Sequence, residues 1–153
     1  MQIAELNIGR IKYDLDDPRM AGFMDNLDRI NALAERSPGF VWRLTGDGNN
    51  ATDVSFDGAP GINMNLSVWD SVEALEHYVW NTVHVRFYRR KAEWFEHLDQ
   101  PWFVMWPVED DHRPSLAEAF GRLEHLRAHG STEHAYGWDA LAHLKAWMEK
   151  RCA

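Results

Sequence analysis

The order of strand and helix patterns along the chain limits its fold more than any other feature of the sequence. Residues 2–8 alternate between apolar and other side chains, and residues 62–69 alternate in the same way. Strict alternation is typical of half-buried strands. Shorter apolar runs at 40–44 and 102–108 predict two further strands.

Helical patterns fill most of the chain between and after these strands. The predicted helices run from Pro18 to Ser37, from Asp70 to about Val79, from about Val83 to Leu98, from Ser115 to Gly130 and from about Trp138 to Lys150. We expect Asp70 to cap the second helix, because Glu73 stands three residues further on at capping-box spacing. Ser115 and Glu118 have the same spacing, and the segment from Thr45 to Gly61 predicts a loop.

These elements follow the order strand, helix, strand, strand, helix, strand, which predicts a ferredoxin-like α+β fold with added C-terminal helices. We interpret residues 1–153 as one domain and residues 131–153 as a variable helical tail. Two helices should cover one face of the antiparallel sheet. The other face would carry Glu5, Asn7, Arg43, Asn63, Asn65 and Trp69. A second copy packed sheet against sheet would cover that face, so we expect a homodimer.

Composition excludes several classes of partner. The formal net charge of −8 argues against binding to nucleic acid or to anionic lipid, since both need a basic surface. No apolar run approaches the roughly 20 residues that a membrane helix needs. The N-terminal residues lack a signal-peptide pattern, and the single cysteine is Cys152. These features predict a cytoplasmic protein.

The chain contains eight tryptophans and eight histidines, and all the histidines lie between His77 and His143. Tryptophan buries a large apolar area and needs a partner for its indole N–H. Trp102 and Trp106 share one face of the last predicted strand, and they could wall a flat aromatic ligand. Ordinary core packing explains them equally well at this point.

Several motifs with specific spacing carry a family resemblance that covers most of the chain. They are VWDSVEAL at 68–75, His84, Arg89-Arg90, Glu93-Trp94-Phe95, Trp106-Pro107-Val108, His112-Arg113-Pro114 and LEHLRAHG at 123–130, with Leu6-Asn7-Ile8 and SPGFVWRL at 37–44 upstream. On these residues the chain resembles an uncharacterised family of bacterial proteins related to the antibiotic-biosynthesis-monooxygenase-like dimeric α+β barrels. The tail from Trp138 departs from the pattern.

The resemblance implies a dimeric barrel with a pocket between the sheet and the helices. The wider group includes cofactor-free oxygenases of polycyclic aromatics, haem-degrading oxygenases, isomerases and cyclases. A shared fold with such varied chemistry is weak evidence for any one reaction. The resemblance therefore supplies no catalytic residue.

His84 is the first candidate for chemistry. On a helix it shares a face with Tyr88, Ala92 and Phe95, where it could act as general base, general acid or haem ligand. A histidine bonded to a core carbonyl is the alternative. The residues predicted to be catalytic are His84, Tyr88 and Arg89, and those predicted to bind substrate are Trp69, Arg90, Trp94, Trp102, Trp106 and His112.

A basic run on the same helix, formed by Arg86, Arg89, Arg90 and Lys91, has two interpretations. Arg89 and Glu93 are four residues apart and can form a solvated pair. Alternatively, one arginine turns inward to hold a carboxylate or a phenolate. We predict no metal site, because the helical pairs Glu73/His77 and Glu93/His97 are not shown to converge.

The sequence thus favours a small-molecule enzyme of monooxygenase-like type that acts on an aromatic or polyketide-like compound. His84 would move protons, Tyr88 and an arginine would orient an oxyanion, and tryptophans would stack on the ring. In the group that the chain resembles, deprotonated phenolic substrates react with oxygen directly, so no cofactor is required. A non-catalytic dimer that binds haem or a metabolite, and a structural dimer with a vestigial pocket, remain open alternatives.

Overall fold

A computed structural model describes residues 1–46, residue 52 and residues 61–141. One antiparallel sheet is built from β1 (Gln2–Arg10), β2 (Phe40–Arg43), β3 (Ile62–Trp69) and β4 (Phe103–Val108). Its strand order is β2-β3-β1-β4. This is the order of a ferredoxin-like sheet, so the predicted fold class and all four predicted strands are confirmed.

The helices of the described residues are α1 (Ala21–Arg36), α2 (Val72–Asn81), α3 (His84–Arg90) and α4 (Leu116–His129). Short 3₁₀ turns cover Pro18–Met20, Lys91–Glu93 and Trp138–Ala140. The prediction of one helix from Val83 to Leu98 is wrong beyond Arg90. The backbone beyond the turn pairs instead with the end of β1, since the Glu96 N–H donates to the Arg10 carbonyl at 2.8 Å.

The helix caps partly follow the sequence. Ser115 accepts a hydrogen bond from the Glu118 N–H, and Gly130 ends α4 with a φ of 72°, both as predicted. The prediction that Asp70 caps α2 is wrong, because the Ser71 hydroxyl accepts from the Ala74 N–H. The Asp70 N–H is occupied elsewhere, by the Gly39 carbonyl at 2.7 Å.

Different helices cover the two faces of the sheet. One face, here called the α4 face, buries side chains such as Leu6, Leu66 and Trp106 against Leu123 of α4. The opposite face, here called the α1/α2 face, buries Ile3, Trp69 and Met105 with residues of α1 and α2, among them Ala34, Leu75 and Tyr78. Adjacent strand positions therefore contribute to two separate cores, as strand geometry requires.

The predicted open polar face is wrong. Glu5, Asn7, Arg43, Asn63, Asn65 and Trp69 lie on the α1/α2 face, beneath helices. The apolar α4 face is covered within the chain by a helix that follows β4, which removes the sequence argument for sheet-to-sheet pairing. Self-association therefore stays a prediction that the fold of one chain does not support.

The segment after α4 returns to the sheet. The Tyr136 backbone exchanges hydrogen bonds with Met105 of β4, at 2.7 and 2.9 Å. The predicted last helix begins as the 3₁₀ turn at Trp138, while residues 142–153, with Cys152, and most of the predicted 45–61 loop lie outside the described residues. Within the described ranges, no helix has both the length and the apolar character that crossing a membrane requires.

Candidate functional site

A cavity of about 370 Å³ lies between the α1/α2 face of the sheet and the helices above it. That volume is within the range of small-molecule pockets. The polar or charged residues that the described structure buries are Glu5, Asn31, Arg43 and Ser67. All of them line the cavity. Burial of polar groups is unfavourable unless they are hydrogen-bonded, so a fold rarely concentrates them without a function. Their concentration around one cavity marks a candidate ligand site.

Glu5 is the central polar group of the cavity floor. It is only 3 % exposed, and it accepts hydrogen bonds from the Ser67 hydroxyl at 2.5 Å and from the Asn7 amide at 3.0 Å. Burial raises the pKa of the Glu5 carboxyl to about 7, although the bonds from Ser67 and Asn7 oppose part of that rise. The Trp69 indole N–H donates to Ser67 at 2.9 Å and completes the chain of hydrogen bonds.

The pairing of the strands creates this cluster. Glu5 lies opposite Ser67, and Asn7 lies opposite Asn65. Ser67 in turn lies opposite Arg43 of β2. Cross-strand neighbours on one face are close enough for their side chains to interact. A row of polar side chains therefore crosses three strands on the cavity floor.

Arg43 is the inward-facing arginine of the site. Its side chain is 6 % exposed, and its Nε is 2.8 Å from Glu35 Oε1 at the edge of α1. One such arginine is predicted from the sequence on the basic helical run, but the structure has it on β2. A buried guanidinium beside a cavity can stabilise a bound anion.

Tyr78 of α2 forms a wall above the floor. Its ring stacks on Trp69 with ring centres 5.0 Å apart, and its hydroxyl is 3.3 Å from the Ile30 carbonyl. Burial raises the pKa of the Tyr78 hydroxyl, and the Glu5 charge raises it further. Tyr78 is thus a neutral phenol that packs and donates.

His84 lines the cavity at the start of α3, next to Tyr78. Its Nδ1 is 3.3 Å from the Val79 carbonyl. Because a carbonyl only accepts, this contact places the ring proton on Nδ1 and leaves the lone pair on Nε2. Burial lowers the pKa of His84, so the ring is neutral near pH 7. It is both bonded to a carbonyl and part of the cavity.

The rest of the predicted His84 stripe is also in the cavity lining, since Tyr88, Ala92 and Phe95 all contribute to it. The Tyr88 ring contacts Trp80 and Trp102, at 4.9 and 5.8 Å between ring centres, and burial raises its pKa. The helical spacing was therefore informative, even though the helix itself ends at Arg90.

Aromatic side chains make up much of the remaining wall. Three of the tryptophans predicted to bind substrate line the cavity, namely Trp69, Trp94 and Trp102. Trp138 joins them and stacks on Phe103 at 5.0 Å, so the segment after α4 contributes to the cavity. Gly9 allows close packing at the end of β1, because a side-chain carbon there would come within 2.6 Å of Phe95.

Four of the predicted site residues are not brought to the cavity. Trp106 is buried on the α4 face, where its indole N–H donates to Glu118 at 3.0 Å. His112 is exposed and lies 2.7 Å from the same carboxylate. Arg89 is exposed on α3. Arg90, not Arg89, pairs with Glu93, and its guanidinium lies over the Trp94 ring.

Glu5, Arg43 and the asparagines of the floor are site residues that are absent from the set predicted from the sequence. The sequence does contain a signal for them, because polar residues occupy every second position of the two central strands. These residues are Glu5 and Asn7 on β1, and Asn63, Asn65 and Ser67 on β3. No group of three or more histidine, cysteine or carboxylate side chains within residues 1–46 and 61–141 is arranged to hold a metal ion.

Glu5 makes protein stability depend on pH in a defined direction. The folded protein keeps the Glu5 proton up to about pH 7, whereas the unfolded chain releases it near 4.5. Between these values the folded state binds more protons, so the free energy of unfolding falls as pH rises. The full effect is on the order of 3 kcal/mol.

We expect this contribution to disappear in Glu5→Gln. Urea unfolding at pH 5 and pH 8 should show that the wild type loses more stability over that interval than the variant does. The contributions of the other titrating groups to the free energy of unfolding are the same in both proteins, so they cancel in the comparison. Parallel stability profiles would show that Glu5 ionises normally in the folded protein.

Fold and site together define a class: a ferredoxin-like α+β protein with an aromatic-walled cavity and a buried carboxyl in the cavity floor. The chain belongs to the family described as Domain of unknown function (DUF3291), whose profile matches residues 2–152. A search of curated protein sequences finds no match.

Solved structures with low sequence identity are similar to this chain. SnoaB, a cofactor-independent oxygenase from Streptomyces nogalater, is 14% identical over 76% of this chain and 98% of its own, with a TM-score of 0.50. A protein from Chloroflexus aurantiacus J-10-fl, provisionally assigned as an antibiotic biosynthesis monooxygenase, is 14% identical over 74% of this chain and 98% of its own, with a TM-score of 0.47. The likeness to SnoaB confirms the expected fold.

Proposed function

We propose that the cavity is the active site of an oxygenase-type enzyme that acts on a phenolic aromatic or polyketide-like compound with molecular oxygen and without a bound cofactor. The observation that carries the proposal is the buried Glu5 carboxyl, with a pKa of about 7, in the floor of an aromatic-walled cavity. A group whose pKa is near the working pH is an effective proton acceptor.

The walls suit a flat substrate. Tyr78, Trp69 and Trp102 present rings to the cavity, and offset or edge contacts with a substrate ring are favourable. Asn7 and Asn65 offer amide groups that can bond to substrate oxygens. Exclusion of water by these walls strengthens every electrostatic contact inside.

The chemistry needs only a proton acceptor and oxygen. Ionised Glu5 takes the phenolic proton, and the electron-rich phenolate then gives electrons to O₂. In a ring system with a methylene next to the phenol ring, CH₂ becomes C=O: one oxygen atom stays in the product and the other leaves as water with both methylene hydrogens. The substrate loses four electrons, O₂ gains four, and the phenolic proton is returned.

Other cavity residues support this step. The Arg43 guanidinium in the same floor row stabilises the substrate anion. Neutral His84, beside Tyr78 in the cavity lining, offers Nε2 as a second acceptor, and Tyr88 would pack beside the substrate ring. The arginine role expected for Arg89 thus passes to Arg43.

Oxygen uptake with 1,8-dihydroxyanthrone tests the proposal. We expect oxygen consumption well above that of heat-denatured protein, one ¹⁸O from ¹⁸O₂ in the new carbonyl, and no loss of rate with a chelator. A rate equal to the denatured control would overturn the proposal.

His84 supports one alternative, a haem-binding function, because a neutral imidazole with a free Nε2 can ligate haem iron. Titration with haem would then give a Soret shift that His84→Asn removes. In that case the cavity would bind haem, and the cofactor-free reaction proposed above would be wrong.

A further inference from the structure

The cavity has a second chemically distinct end, marked by Lys91. The Lys91 Nζ lies 3.4 Å from the centre of the Trp102 ring and 5.3 Å from that of Tyr88. Lys91 is half-buried and lines the cavity. Its ammonium group is therefore held at the cavity wall between two aromatic rings.

The carboxylates near this end of the cavity form ion pairs with cations other than Lys91. Glu93 pairs with Arg90, and Glu96 pairs with Arg10. Within the described part of the chain, no carboxylate lies at salt-bridge distance from Lys91. Burial lowers the pKa of Lys91, which reflects the loss of solvent around its charge. An anionic ligand would compensate for that loss.

A second lysine adds positive potential at the same end. Lys12 lines the cavity, and its Nζ donates to the Ala92 carbonyl at 2.6 Å, one residue beyond Lys91. A carbonyl satisfies a hydrogen bond but does not neutralise the charge. Lys12 is exposed, however, so solvent screens its charge more than that of half-buried Lys91, and Lys91 is the main cation at this end.

Strand geometry gives an approximate separation between the two ends of the cavity. The Trp102 carbonyl accepts from the Ile8 N–H at 2.9 Å, and the Trp102 ring contacts Lys91, so we take Ile8 as the strand position that marks the Lys91 end. Ile8 follows Glu5 by three positions, which corresponds to about 10 Å along a strand. That distance is comparable to the length of three fused rings.

We propose that the substrate is an aromatic acid, with its phenolic end at Glu5 and a carboxylate bound by Lys91. The phenolic half of this statement rests on the proposed function. The carboxylate half does not, because it concerns binding alone. A charge-assisted bond between an ammonium and a carboxylate is stronger than a neutral one and would fix the direction in which a flat ring system enters.

Binding of two flat probes tests the proposal without requiring turnover. The probes are anthraquinone-2-carboxylate and anthraquinone-2-carboxamide, which differ in charge at one position, and tryptophan fluorescence reports their binding. We expect wild-type protein to prefer the carboxylate by about 10- to 100-fold. The preference should fall to near unity in Lys91→Met, which keeps an unbranched side chain against Trp102.

Arg86→Met serves as the control. It removes one positive charge from the exposed surface of α3, five residues before Lys91, and should leave the preference unchanged. Equal binding of both probes to the wild type, or a preference that survives in Lys91→Met, would overturn the assignment of Lys91. Failure of the oxygenase assay with the preference intact would overturn only the proposed reaction.

Discussion

Glu5→Gln is expected to slow turnover of the phenolic probe by about 10²- to 10⁴-fold, the usual contribution of a positioned general base. Glutamine keeps the shape of the side chain, and its amide oxygen can still accept the Ser67 hydroxyl. It cannot take a proton from the substrate. Affinity for the probe should therefore change little, so the loss should appear in kcat.

The pH profile separates a loss of the base from a general disturbance of the site. Wild-type kcat should fall below about pH 7, because Glu5 must be ionised to accept a proton and its pKa is about 7. The residual rate of Glu5→Gln should lack that dependence. His84→Asn is the comparison variant, since asparagine can still donate to the Val79 carbonyl. Loss of rate and of pH dependence in His84→Asn alone would make His84 the base.

Much of the fold could be predicted from local patterns, because alternation and capping are properties of neighbouring residues. Ser115 shows this well, since its position before an apolar stripe was sufficient to locate the start of α4. What alternation cannot tell is which helix covers which face. Leu6 and Glu5 point to opposite sides of β1 in either arrangement, and only the packing of α4 decides that the apolar side is closed within the chain.

The candidate site divides in the same way. His84 and Tyr88 were identified by helical spacing, which stays valid as long as the backbone is helical. Glu5 and Arg43 gained their properties from tertiary structure, because burial and cross-strand pairing place them in one cavity and raise the pKa of Glu5. An acidic residue in a half-buried strand has no such property in the sequence alone.

Trp106→Ala is expected to lower the free energy of unfolding by about 3–5 kcal/mol, as for large aromatic side chains removed from a core. Trp106 is 0% exposed on the α4 face, and the substitution also removes the indole donor to Glu118. Urea unfolding measures the loss. Trp106→Phe keeps most of the packing, and it should remain folded with the wild-type affinity for anthraquinone-2-carboxylate.

Trp102→Ala provides the matched comparison, since both tryptophans were predicted to bind substrate. Trp102 is half-buried beside the cavity and under Lys91. Its removal should cost less stability than that of Trp106, but it should weaken binding of the carboxylate probe, because the ring that positions the ammonium is gone. A folded Trp106→Phe with reduced affinity beside a Trp102→Ala with normal affinity would show that the ligand binds against the α4 face. We expect normal affinity in Trp106→Phe and reduced affinity in Trp102→Ala, because the two faces of the sheet have separate roles. The α4 face is closed by a helix and contributes stability, whereas the α1/α2 face carries the polar residues of the cavity.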